Sequence, residues 1–242
     1  MNFNYLLVYD YETGSRNKHN TQLTQIASIV IEPRKLVLVE NSLFSSEVKP
    51  ILDDAAAIEA GLAPIDEEAL RITHKTRENL AKAPELKQVW ESWMESIAKY
   101  RTNRGGAWGS PIPCGFNINK FDNFITDRYA EQFGQWDKTW ETNTVFHPLV
   151  SYDLLVEFWK VAENIKINNN HSISLDAIRD WLGMTKEGAH DAKNDVIDCA
   201  ELVIRFLRMH RKMNVGFECT KCQTPLKVRF EGSLASWKRP VF

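Results

Sequence analysis

A five-residue apolar run, YLLVY at residues 5–9, is followed at once by two acids, Asp10 and Glu12. A short run of β-preferring residues like this fits a strand buried on both faces. Such a strand needs a layer of structure above it and another below it, so the chain must build a sheet covered by helices on both sides. Side chains alternate along a strand, which puts Asp10 and Glu12 on one face and Tyr11 on the other. Two neighbouring carboxylates repel each other unless something positive lies between them.

The rest of the chain supplies the partners of that strand. Further strands are predicted at residues 24–31 and 35–39, separated by the turn signal Glu32-Pro33-Arg34 and continued antiparallel to about residue 48. Helices are predicted at 64–70 and 85–100; in the second, Leu86, Val89, Trp90, Trp93, Met94 and Ile97 recur at helical spacing. A short buried strand follows at 112–116, then a helix at about 120–133 and an aromatic-rich loop at 134–148. Helices at about 152–165, 174–182 and 192–211 complete the pattern of an α/β fold with a mixed sheet. The composition changes after residue 212. Residues 1–212 are therefore expected to form one domain and 213–242 a small C-terminal hairpin or knuckle.

Charge narrows the possible partners. The net charge is −2, so no basic coat covers the whole molecule, and nucleic acid would have to bind through a local patch or a metal site. No apolar run reaches the roughly 18 residues that a membrane span needs. The start, MNFNYLLVYDYETG, has too short an apolar stretch and too many acids for a secretion signal, so the expected setting is the cytoplasm. Oligomeric state, monomer or homodimer, is left open. Cys114 and Cys199 lie in apolar contexts and read as core residues.

Three more residues give the Asp10–Glu12 pair its meaning. Asp122 opens the helix at 120–133, where an acid also complements the positive helix N-terminus. Asp195 lies along the edge of the apolar face made by Ala192, Val196, Cys199, Ala200 and Val203. A carboxylate turned toward a core needs a cation or good hydrogen bonds. His190 precedes the same helix, and Asp191 is placed to cap it, which leaves His190 in the entering loop. Four carboxylates and one imidazole suit a site that holds Mg²⁺ or Mn²⁺ and deprotonates a water. Two such ions can assist phosphodiester hydrolysis.

These pieces resemble a known group. YDYETGS (9–15), GFNINKFDNFITDRY (115–129), SYDLL (151–155), SISLDAIRDWLGM (172–184) and AHDAKNDVIDCAELV (189–203) are similar to the motifs of the DEDD superfamily of 3′→5′ exonucleases. They look most like those of bacterial exonuclease I and of compact phage-encoded exonucleases of this type. The resemblance implies a ribonuclease-H-like fold with a five-stranded mixed sheet. It also implies two Mg²⁺ or Mn²⁺ ions held by Asp10, Glu12, Asp122 and Asp195, with His190 as general base. The spacing from His190 to Asp195 matches the histidine subclass. Tyr11, Thr13, Gly14 and Asn117 are carried over as substrate-binding residues. Single-stranded DNA with a 3′ end is the favoured substrate. RNA or short oligonucleotides are the alternative, and a non-catalytic binding module or a polymerase proofreading subunit is a further one.

Other residues carry weaker signals. Cys219-Thr-Lys-Cys222 resembles half of a zinc ribbon, but a structural Zn²⁺ site needs four ligands. His210 or a second chain would have to supply the rest, so a knuckle without metal is expected. Trp136, Trp140 and Phe146 could stack bases or fill a core. Arg16, Lys18, Lys120 and Lys193 lie close to the motifs, where phosphates would pass.

Overall fold

The computed structural model of the chain describes residues 4–162, 173–185 and 188–212, with the backbone of 217–218 and 225–226. Strands β1 (Leu6–Thr13), β2 (Leu23–Glu32), β3 (Val37–Leu38) and β4 (Phe44–Glu47) open the fold as a meander. Helices α1 (Asp54–Glu59), α2 (Glu67–Ile72), α3 (Arg77–Lys82) and α4 (Leu86–Ala98) lead to β5 (Ile112–Gly115). Then come α5 (Asp122–Gln132), the paired β6 (Trp136–Asp137) and β7 (Thr142–Asn143), and β8 (Tyr152–Asp153). Helices α6 (Leu154–Ala162), α7 (Leu175–Leu182) and α8 (Ala192–Lys212) follow. Finally β9 (Phe217–Glu218) pairs antiparallel with β10 (Pro225–Leu226).

The main sheet has the order β3-β2-β1-β5-β8, with β4 also on β2. Its β1–β5 and β5–β8 pairs are parallel and the others antiparallel. The sheet thus has six strands where five were expected. The returning arm of the meander is broken, and β3 and β4 pair with successive stretches of β2, at Ile31–Glu32 and Gln25–Ser28. The strand at β8 was hidden inside a predicted helix. Two residues are too few to show a period of two, yet Tyr152 and Asp153 pair with Cys114 and Gly115 before the helix starts. The helix predicted at 64–70 is present as α2, shifted to Glu67–Ile72, and the unpredicted helices α1 and α3 flank it; the three are begun by side-chain caps from Asp66, Asp53 and Thr76. The loop at 134–148 contains the β6–β7 hairpin.

The two faces of β1 feed two cores. Leu6 and Val8 pack with α6, α7 and α8 through Leu154, Phe158, Ile178, Val196, Ala200 and Val203. Leu7, Tyr9 and Tyr11 face the other way, into a core with Trp90 and Trp93 of α4 and Ile125 and Tyr129 of α5. Both tryptophans are fully buried, and their indole N–H groups donate to Gln135 and Ser28. Burying side chains of this size stabilises the fold by roughly 2–3 kcal/mol each, and the satisfied N–H groups avoid the penalty for a stranded donor. Cys114 and Cys199 are buried free thiols in the first core. Among the described residues no helix is long and apolar enough to cross a membrane.

Candidate active site

The end of β1 is where the sheet opens. β1 pairs with β5 only from Leu6 to Val8, so its outer edge is free from Tyr9 onward. Gly115 ends β5 close against β1: a Cβ there would lie 2.7 Å from the Tyr9 carbonyl oxygen. Beyond that point α5 enters with Asp122 as its first residue, and the Asp122 carboxylate accepts the backbone N–H of Tyr11. On the face shared with Leu6 and Val8, Asp10 and Glu12 meet Asp195 from the first turn of α8. Carboxylate oxygens of Asp10, Glu12 and Asp195 lie within 4.8 Å of one another. Three elements that are far apart in sequence thus bring four acids to one end of β1.

This grouping is short of positive charge. Burial and the charges of Asp122, Glu12 and Asp195 push the Asp10 carboxyl well above the usual carboxylate range. Burial and Asp195 push Glu12 up to about 8, against the pull of Lys75. Burial also raises Asp122 to about 7, although it accepts hydrogen bonds from its own N–H and that of Tyr11. For Asp195, burial outweighs the hydrogen bond and charge of Arg179. Carboxyls that hold their protons this tightly would release them to a divalent cation. Because the donors are all carboxylate oxygens, the set fits a hard ion such as Mg²⁺ or Mn²⁺.

Solved structures share this architecture. E. coli exonuclease I, in the zinc-bound form of its single-stranded DNA complex, is 19% identical with a TM-score of 0.62, over 87% of this chain and 41% of that one. Exonuclease I from Methylocaldum szegediense is also 19% identical, with a TM-score of 0.61, over 87% and 41%. The fold is that of exonuclease I. Cell-death related nuclease 4 shares it at 15% identity and a TM-score of 0.57, over 86% of this chain and 64% of that one. The chain therefore spans about two fifths of the length of the exonuclease I chains it matches. No protein-family model and no curated protein sequence matches it.

On this fold His190 is half-exposed, its Nε2 lies 3.5 Å from Asp176 Oδ2, and its charge reaches Asp195. Its backbone is left-handed, with φ 63°. Asp191 caps α8 by accepting the N–H of Lys193 at 3.0 Å, which leaves His190 in the loop before the helix. Two cations escaped the sequence reading. Arg179 is 1% exposed and bonds Asp195, Asp176 and Asp198. Its signal was available: with Leu175, Ile178 and Leu182 it falls on the apolar stripe of α7, where an arginine needs anionic partners. Lys75 is the second. Its Nζ donates to Gln25 Oε1 at 2.8 Å, and Gln25 is the cross-strand partner of Glu12. Lys75 comes from the loop between α2 and α3, a placement that no local pattern reveals.

The remaining candidates are placed as follows. Tyr11 lies in the aromatic core on its face of β1; the residue is 4% exposed and its hydroxyl pairs with Thr126 at 2.9 Å. Gly14 has no free backbone group. Its N–H goes to Gln22 and its carbonyl to Asp66, both at 2.8 Å, and a Cβ would lie 2.2 Å from Ile65 Cδ1. The Thr13 hydroxyl donates to the Ser15 carbonyl. Asn117 is left-handed, and its N–H donates to buried Asp153, which also accepts the N–H groups of Asn119 and Leu155. Asp153 thus braces the loop that delivers Asp122 as well as capping α6. Phe146 is a core residue 4.7 Å from Tyr9 between ring centroids, whereas Trp140 is exposed. Lys18 lies over the Phe124 ring. His210 is paired with Glu157. Cys219 and Cys222 lie outside the described residues.

Proposed function

We propose that the chain is a metal-dependent 3′→5′ exonuclease that releases nucleoside 5′-monophosphates from single-stranded nucleic acid, DNA foremost. The observation that carries this reading is the convergence of Asp10, Glu12 and Asp195 within 4.8 Å, with Asp122 beside them on the N–H of Tyr11. No acid is missing from the set, which argues against a binding module that has lost catalysis. The presence of single-stranded DNA in the E. coli exonuclease I complex supports the choice of substrate. In this reading residues 1–212 are the nuclease domain, 213–242 an extension, and the cytoplasm the setting.

Asp10, Glu12 and Asp195 would hold one divalent cation, and Asp10 and Asp122 would hold a second. When bound, such ions supply positive charge to the scissile phosphate and to the leaving 3′-oxygen. His190 takes the proton of the attacking water; a half-exposed imidazole is suited to accept it and pass it to solvent. The water oxygen bonds to phosphorus as the bond to the 3′-oxygen breaks. The terminal nucleotide leaves as its 5′-monophosphate, and the 3′-oxygen takes a proton from solvent to become the new 3′-hydroxyl. Asp122 and Asp195 are buried, and Asp195 is held by Arg179, so little reorganisation of these two is needed during the reaction.

Side-by-side digestion of single-stranded DNA, duplex DNA, RNA and dinucleotides with Mn²⁺ tests the substrate. Faster release from single-stranded DNA is expected. Dominant release from RNA or dinucleotides would move the assignment to an exoribonuclease or oligoribonuclease.

A further inference from the structure

Arg179 is built into the site in a way that a simple ion pair does not require. Each nitrogen of its guanidinium serves a different carboxylate. Nη2 donates to Asp195 Oδ1 at 2.5 Å, Nη1 to Asp176 Oδ1 at 2.9 Å and Nε to Asp198 Oδ2 at 2.8 Å. A single bidentate carboxylate would neutralise the charge of a structural arginine. Here the rigid fork is spread over two helices, with Asp176 on α7 and Asp195 and Asp198 on α8. The other oxygen of Asp176 faces His190 Nε2 at 3.5 Å. One planar group therefore touches both an acid of the Asp10–Glu12–Asp195 cluster and the acid that faces the imidazole.

We propose that Arg179 is a positioning residue that fixes Asp195 for the cation and Asp176 for His190 in a single geometry. The inference rests on the exonuclease reading for the roles of Asp195 and His190. Its physical basis is loss of freedom. Asp195 with one oxygen held by a buried fork cannot rotate away from Asp10 and Glu12, so ion binding need not order it. Groups that hold metal ligands in this manner typically change metal affinity by about 10–100-fold when removed. Lysine would keep the positive charge but is a point donor that cannot hold two carboxylates in fixed relation. Arg179→Lys therefore separates geometry from charge, since any repulsion between the side chain and the ion is retained.

The experiment is a calorimetric titration of metal-free protein with Mn²⁺ alone, wild type against Arg179→Lys, with circular dichroism to establish folding. Steady-state kinetics on a single-stranded oligonucleotide run in parallel. A folded Arg179→Lys protein is expected to bind Mn²⁺ about 10–100-fold more weakly. Its kcat at saturating metal should fall while KM for the oligonucleotide holds. Wild-type Mn²⁺ affinity and kcat in the folded variant would overturn the proposal. Should Arg179→Lys fail to fold, Asp176→Asn decides. It leaves the Arg179–Asp195 bond in place, so Mn²⁺ affinity should hold while kcat falls at least about tenfold through a loosened base; an unchanged kcat would overturn the proposal. If wild-type protein cleaves no nucleic acid, the exonuclease reading fails by itself, and the Mn²⁺ titration still decides the role of Arg179.

Discussion

The backbone N–H of Tyr11 donates to the carboxylate of Asp122, so the first residue of α5 is fastened to the strand that carries Asp10 and Glu12. The bond uses the stretch of β1 left free where its pairing with β5 stops. Asp122→Asn keeps an acceptor for that N–H and removes a charge that burial disfavours. The variant is expected to melt no lower than wild type in EDTA at pH 8, and to lose at least about 100-fold in nuclease rate. Melting by circular dichroism and a rate assay check both parts.

Metal-free protein should grow less stable as pH rises from about 5 to 8. Glu12 and Asp122 have folded-state values of about 8 and 7, above the ordinary carboxylate values that apply once the chain unfolds. Between the ordinary and the raised values the folded state binds more protons than the unfolded state, so the slope of unfolding free energy with pH is negative. A divalent cation removes the cause. Added Mn²⁺ should therefore raise the melting temperature more at pH 8 than at pH 5. With free ion at about 100 times Kd the gain is about 2.7 kcal/mol. A melting temperature that rises with pH in EDTA would contradict this.

Gly115 and Gly14 should respond unequally to alanine. At Gly115 the new Cβ would lie 2.7 Å from the Tyr9 carbonyl oxygen, which belongs to the sheet backbone and cannot move alone. At Gly14 the nearest atom, at 2.2 Å, is Ile65 Cδ1, the end of a flexible side chain. Gly115→Ala is expected to destabilise by about 1–3 kcal/mol and Gly14→Ala by less. Urea denaturation measures both, and the reverse order would count against the β1–β5 packing described.

Asp153→Ala should be felt at Asp122. It strips the acceptor from the N–H groups of Asn117, Asn119 and Leu155. Leaving such groups without a partner costs about 1–3 kcal/mol, and the loop that introduces α5 loses its brace. Faster amide exchange at Asn117 and Asn119, with a drop in kcat, is the expected result. Unchanged exchange would show that the brace is dispensable.

Much of this could be read from the chain, and the rest fails for identifiable reasons. The long elements β1, β2, α4 and α8 announce themselves by burial runs or stripes, and Asp10, Glu12 and Asp195 fall where those patterns put them. Among the short elements α2 is legible, as the helix at 64–70, but β8, α1 and α3 are not: β8 has two residues and α1 and α3 six each, too few for a period to show. Gly14 was carried over as a substrate-binding residue, yet its N–H is already engaged by the Gln22 carbonyl across the β1–β2 connection. Lys75 and Arg179 reach the acids only through tertiary packing. Of these two, Arg179 alone left a trace, as a charge on an apolar stripe.

The most direct test of the assignment is to incubate 5′-labelled single-stranded DNA and RNA with the protein and Mn²⁺, beside Asp10→Ala and an EDTA control. The exonuclease reading expects a ladder that shortens from the 3′ end with release of nucleoside 5′-monophosphates, abolished by EDTA and by Asp10→Ala. No shortening of either strand, or a full rate in Asp10→Ala, would contradict it.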